Sequence, residues 1–330
     1  MDGMSDDLAQ KYDVVVVGGG AAGLNGALML ARSRRSVVVL DSGQPRNAPA
    51  EGVHGLLGRE GMAPAELLER GRAEVRGYGA HVVAAEVVDA VAEGAGFLVT
   101  LSDGRSVRAR RLLVATGLVD RLPDVPGLAE RWGRDVLHCP YCHGWEVRDR
   151  AIGVLGSGPM SHHQALLFRQ LSDDVVFFAH QVPPDDEQAE QLAALGVRVV
   201  TAPVVGVEVT DDRLSGVVLA GGDVVPREAL AVATRMEAQV SSLAGLGLPV
   251  VDHPAGVGTH VPTDLTGRSE VPGVWVAGNV SDLTAQVGAS AAQGAMAGAQ
   301  INADLVAEDA AAAVAAARAA VRQRAASSSR

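Results

Sequence analysis

The 330-residue chain has only two cysteines, few aromatic side chains (3%), and less positive than negative charge, with 28 Lys and Arg against 39 Asp and Glu. Each shortage excludes something. Two cysteines cannot build the disulfide framework of a small secreted domain, and their close spacing favours redox or metal chemistry. A formal charge of −11 argues against a nucleic-acid or anionic-membrane partner, because neutralising phosphates takes clustered Lys and Arg. No apolar run approaches the roughly twenty residues that span a bilayer. The first eleven residues are polar and acidic, with no basic start or apolar core, so no secretory signal is read and a cytoplasmic protein is expected. What remains, 48% hydrophobic residues and 39 glycines, suits an Ala/Val/Gly-rich α/β enzyme of two domains.

Residues 12–17 (YDVVVV) form a continuous β-branched run, the pattern of a strand buried on both faces. GGGAAG follows, then a helical segment (LNGALMLARS) and a second strand (SVVVLD), which together make a β-α-β unit. A second such unit begins at residues 151–158 (AIGVLGSG), runs through HHQALLFRQL and reaches DVVFFAH. A strand pair is expected across 204–225, and GVWVAGN at 273–279 reads as strand and turn. A small-residue helix over 287–305 comes next, then an Ala-rich helix that frays into a disordered Ser/Arg end. The pattern predicts two Rossmann-like dinucleotide-binding domains of an α/β, three-layer ββα fold, the second inserted in the first.

Gly18-Gly19-Gly20-Ala21-Ala22-Gly23 fits G-x-G-x-x-G directly after a strand and before a helix. Glycines there permit a tight turn, let backbone amides approach a pyrophosphate, and allow close helix–strand packing. Asp41 ends the next strand, where a carboxylate can accept hydrogen bonds from an adenosine ribose. This loop alone does not decide between FAD and NAD.

Two later stretches bear on that choice. Ala115-Thr116-Gly117 with Pro123, Pro126 and Gly127, and the Ala277-Gly278-Asn279 turn, resemble the further fingerprints of flavoproteins with two dinucleotide-binding domains. With the cysteine pair about twenty residues after Thr116, the order of motifs over residues 12–305 resembles the thioredoxin-reductase-like, FAD-dependent pyridine nucleotide–disulfide oxidoreductases. The resemblance implies FAD bound by residues 1–117 and 245–330, an NADPH-type domain at 118–244 carrying the dithiol, and a homodimer. Beyond the glycine loop and Asp41, it points to Arg46, His54, Val83, Ala115, Thr116, Gly117, Gly278, Asn279, Gln286 and Val287 as cofactor-binding positions. Asn279 replaces the family's Asp and is expected to reach a ribityl hydroxyl, in a stretch to Gln286 one residue shorter than in the reductases.

Both cysteines lie in LHCPYCHGWE, at Cys139 and Cys142, with His138 and His143 on their flanks. A zinc site would need further ligands that the sequence does not supply, and a bridge closing so short a loop stabilises little. A reversible dithiol is the remaining reading. By resemblance, Cys142 is the sulfur nearest the flavin and Cys139 exchanges with substrate. His143 stands where the reductases have an acidic residue, and it is the candidate base, since an imidazole takes a thiol proton at neutral pH more readily than a carboxylate. His138 is the second candidate.

The inserted unit departs from the reductases. Gly156-Ser157-Gly158 keeps a glycine turn with Ser161 in the third small position, so it can still seat a pyrophosphate. DVVFFAHQVPPDD, however, has Asp185 and Asp186 where an Arg fork would hold a 2′-phosphate. These departures resemble the branch containing the FAD-dependent dithiol oxidases of gliotoxin and holomycin biosynthesis. They imply a small-molecule dithiol substrate oxidised to an intramolecular disulfide, with O2 reduced to H2O2. An NAD(P)H-dependent disulfide reductase and a non-catalytic flavin redox sensor are the alternatives. The missing fork speaks against the first and a dithiol with its own base against the second.

Overall fold

A computed structural model describes residues 8–328. Residues 1–7, part of the stretch on which the absence of an export signal was read, and residues 329–330 at the Ser/Arg end lie outside the described residues.

Two parallel sheets organise the chain. In the first, strands His81–Ala84, Val37–Asp41, Lys11–Val17 and Ser106–Val114 lie side by side in that order. Strand Val274–Val276 pairs in parallel with the carboxyl half of Ser106–Val114. The amino half of that long strand carries an antiparallel meander, Gly96–Leu101 and Val87–Glu93. The apolar stretch from residue 81 therefore divides in two, its first part pairing in parallel and its second turning into the meander. One face of the sheet buries Val14, Val16, Val39 and Leu113 against helices Ala21–Arg32 and Val287–Ser328. The other buries Val15, Val17, Leu40 and Val114 with Phe97 and Val99 of the meander. Helices, parallel sheet and meander thus make the three expected layers, and continuous Val runs are what strands covered on both faces require.

The second sheet orders Arg198–Val200, Val175–Phe178, Ile152–Leu155, Ala229–Val232 and Val136–Leu137, all parallel. The strand pair expected near 204–225 is a separate antiparallel sheet, Val204–Thr210, Arg213–Leu219 and Val224–Pro226. The chain crosses between the two large sheets twice. Both crossings, Leu118–Arg121 and Arg235–Ala238, pair antiparallel with each other.

The C-terminal region corrects the sequence reading. One helix, Val287–Ser328, runs through the two segments read as separate helices and into the Ser/Arg end, of which residues 329–330 lie outside the described residues. No Gly or Pro occurs after Gly298, and the Ala-rich stretch has the highest helix propensity available, so nothing interrupts the backbone. Its first part packs on helix Ala21–Arg32 through glycines. A Cβ on Gly294 would lie 1.9 Å from the Ala22 carbonyl oxygen, and one on Gly298 would lie 2.6 Å from that of Gly26. Gly294→Ala must part the two helices and is expected to cost about 1–3 kcal/mol, as overpacking does. The measurement is the midpoint of chemical denaturation, and an unshifted midpoint would contradict the close approach.

Candidate functional site

Strand register sets the site. Val17 pairs with Leu40 and Val114, and Val114 pairs with Val276. The residues that follow, Gly18, Asp41, Ala115 and Ala277, therefore leave the sheet at one level, on its carboxyl edge, where ligands of open α/β sheets bind. They open into a cavity of about 1440 Å³. Typical small-ligand pockets hold roughly 300–1,000 Å³, so this one has room for a dinucleotide.

Within the first turn each glycine has its own reason. Gly18 has φ +105°, and a Cβ on it would lie 2.3 Å from the Ala115 carbonyl oxygen. A Cβ on Gly23 would come within 1.9 Å of the Gly18 carbonyl oxygen. One on Gly20 would meet nothing within 4 Å, because Gly20 borders the cavity. Gly20 also caps helix Ala21–Arg32 without any side-chain hydrogen bond, which leaves the first-turn amides free for an anion. The Thr116 hydroxyl is buried with no partner among the described residues, and it too borders the cavity. An open cradle of amides, an unpaired hydroxyl and a carboxylate at a strand end fit a dinucleotide pyrophosphate and ribose.

The sequence-derived positions converge. Gly18, Gly20, Ala21, Ala22, Asp41, Arg46, His54, Ala115, Thr116, Gly117, Gly278, Asn279, Gln286 and Val287 border this cavity, as do His138, Cys139, Cys142 and His143. Two do not. Gly23 is spent on packing, and Val83 is buried in the core beside Leu40, with Ala85 and Glu86 bordering the cavity instead. Asp41 keeps its place but also accepts from Arg72 Nη2 at 3.1 Å.

The second sheet brings the sulfurs. Leu137 pairs with Ala231 at its carboxyl edge, so His138 and Cys139 emerge there. Cys139 caps the one-turn helix Pro140–His143, with Pro140 at its first position, and this turn sets the two Cα atoms 5.2 Å apart with a disulfide between the side chains. From the other sheet, Gln286 Nε2 lies 4.0 Å from each sulfur. His138 Nδ1 is 3.1 Å from the Val232 carbonyl, which only accepts, so the proton of the neutral ring sits on Nδ1 and the lone pair on Nε2. Burial holds its pKa below the usual histidine value, and the nearby Arg46 charge adds to that. Burial likewise lowers His143, helped by His54 and His138 and opposed by Glu146. The His143 ring has no hydrogen-bond partner among the described residues, so a neutral imidazole stands free beside the dithiol.

Sequence reasoning missed Asp120 and Thr234, which sit on or beside the two crossings. Arg46 grips Asp120 through two nitrogens at 2.6 and 2.8 Å, and the Thr234 hydroxyl donates to the same carboxylate at 2.7 Å. Burial opposes ionisation of Asp120, but these partners outweigh it and hold its pKa below the carboxylate range. No local pattern marks a lone Asp in LVDRL. Asn279 is also engaged within the chain, Nδ2 donating to the carbonyls of Asp282 and Ala285 and Oδ1 accepting from Arg46 at 3.4 Å.

The second glycine turn differs from the first. Ser161 is fully buried, and its Oγ accepts from both Ser157 N and Gly158 N at 3.1 Å. The Gly156 carbonyl accepts from Gln181 N and Val182 N, folding the segment after strand Val175–Phe178 back over the turn. Two amides of this turn, those of Ser157 and Gly158, are therefore already used.

Comparison with known proteins agrees with this architecture. The family model for pyridine nucleotide-disulphide oxidoreductases matches residues 12–299. Thioredoxin reductase tcpT of Claviceps purpurea is 38% identical over 154 residues, covering 46% of this chain and 48% of that protein. The chain thus spans about half the length of the curated relatives it first matches. The crystal structure of HlmI is similar with a TM-score of 0.89 at 49% identity, over 94% of this chain and 98% of that one. An oxidoreductase from Agrobacterium tumefaciens gives a TM-score of 0.84 at 36% identity, over 90% and 99%.

The lowered histidines set a pH dependence. In the unfolded chain His138 and His143 titrate near 6.5, whereas in the folded protein they protonate at lower pH, so below about 6.5 the unfolded state binds more protons. Stability is therefore fully present above that value and is lost as pH falls through it. Denaturation at pH 7.5 and 5.5 should show the loss, and His143→Gln should reduce it. Equal stability at both pH values would contradict the neutral, buried imidazoles.

Proposed function

The chain belongs to the pyridine nucleotide-disulphide oxidoreductase family, and on that premise we propose that it is an FAD-dependent dithiol oxidase acting on a small-molecule dithiol. Residues 1–117 with 245–330 hold the FAD, and residues 118–244 form the second unit and carry the dithiol. The protein acts in the cytoplasm as a homodimer.

Gly20, Ala21 and Ala22 offer amides to the pyrophosphate, Asp41 a carboxylate to the ribose, and Thr116, Gly278 and Val287 border the remainder. FAD, when bound there, supplies a two-electron acceptor that O2 reoxidises with release of H2O2. The steps that belong to the chain are thiol–disulfide exchange. One substrate thiolate attacks Cys139 Sγ, the Cys139–Cys142 bond breaks, and Cys142 leaves as a thiolate. The second substrate sulfur attacks the mixed disulfide, giving its proton to the free His143 imidazole, and Cys139 leaves. The substrate departs as an intramolecular disulfide, and its two electrons remain on the reduced pair.

One observation carries the choice of oxidase over reductase. The second glycine turn, where a reductase of this architecture would bind NAD(P)H, donates its amides to Ser161 Oγ. The loop beyond it offers no arginine for a 2′-phosphate, which fits electrons arriving through the sulfurs.

Under anaerobic conditions a small dithiol is expected to bleach the purified yellow protein, and air to restore the colour with peroxide release. NADH and NADPH should leave it oxidised. Bleaching by NADH within a turnover time would replace this reading with a disulfide reductase. His143→Ala should slow dithiol-driven bleaching at pH 7 by about 10²-fold, the scale of a general base, with recovery at alkaline pH where solvent supplies the thiolate. An unchanged pH–rate profile would remove His143 from the mechanism.

A further inference from the structure

Gln286 joins the two halves of the site by a contact that the cofactor reading of this position does not use. Its carbonyl accepts the first intrahelical bond of helix Val287–Ser328, from Ser290 N at 2.8 Å, so Gln286 is that helix's cap residue. Its side chain does not turn inward to cap the helix. It reaches across to the dithiol, placing one NH2 group at the same 4.0 Å from Cys139 Sγ and Cys142 Sγ.

We propose that Gln286 is a catalytic hydrogen-bond donor to the reduced dithiol, and that Asn279 positions it. The inference rests on the dithiol reading above. A disulfide sulfur is a poor acceptor, but once the S–S bond is broken and the substrate proton has gone to His143 the pair carries negative charge, and a charged acceptor draws an N–H in. An amide with two hydrogens, equidistant from both sulfurs, serves whichever one carries the charge.

Asn279 fixes where this donor stands. Its Nδ2 ties the carbonyls of Asp282 and Ala285, closing the turn that ends at Gln286. A carboxylate has no hydrogen to give to either carbonyl. The Asn279 amide therefore holds this turn, and the turn delivers Gln286 to the sulfurs.

The test is the pH dependence of thiol alkylation in the reduced, flavin-containing protein, using iodoacetamide with each cysteine located by mass spectrometry. Gln286→Leu should raise the midpoint for thiolate formation enough to slow alkylation at pH 7 about tenfold, one pKa unit. Gln286→Glu, nearly the same shape, should raise it further, because a carboxylate then faces the thiolate. Asn279→Asp should shift it in the same direction in the parent and add nothing in the Gln286→Leu background. A Gln286→Glu midpoint equal to the parent's, or no larger in shift than Gln286→Leu, would overturn the proposal. The readout involves no electron acceptor. Bleaching by NADH would therefore sink the oxidase reading and leave this one standing, and an unmoved midpoint would do the reverse.

Discussion

The site depends on two helices being allowed to touch along their backbones. Gly294 and Gly298 lie against the carbonyls of Ala22 and Gly26, where a Cβ would collide with the facing backbone. That contact sets the start of helix Val287–Ser328 beside the start of helix Ala21–Arg32, so two helix N-termini open on one cavity. Larger residues at the crossing would move the second terminus outward and take Gln286 away from the sulfurs. The ion pairs of Arg110 and Arg111 with Asp304, Glu308 and Asp309 fasten the same helix further along. Such partly exposed pairs are worth on the order of 0.2–1 kcal/mol each, too little to set the approach that the glycines permit.

The layered fold and the first glycine turn were legible in the sequence because both are written in local pattern. A β-branched run, a glycine cluster and a helical segment within thirty residues need no distant partner to be recognised. The two cysteines were legible through their rarity and spacing. Contacts between residues far apart in the chain were not. Arg46 meets Asp120 and Asn279, 74 and 233 positions away, and only the crossing of the two sheets brings them together. The single long C-terminal helix was misjudged because composition was read as a boundary where the backbone has no reason to break.

Ser161 shows how a retained motif can differ in what its backbone offers. Glycine at the first two positions preserved the turn, and a serine in the third looked like a tolerable small residue. Its hydroxyl accepts from two amides of the turn, those of Ser157 and Gly158, and it is fully buried. The second unit therefore keeps a complete parallel sheet and core, with Phe168, Phe177 and Ile152 fully buried, and continues to hold the dithiol at its edge.

The Arg46–Asp120–Thr234 cluster bears on motion. It joins the loop after the second strand to both chain crossings, and the Asp120 side chain is only 5% exposed. Swinging one sheet away from the other would part that carboxylate from its countercharge and from the Thr234 hydroxyl, so the cluster resists the motion. With the two crossings tied to that loop, a reaction partner reaches the sulfurs through the cavity they border.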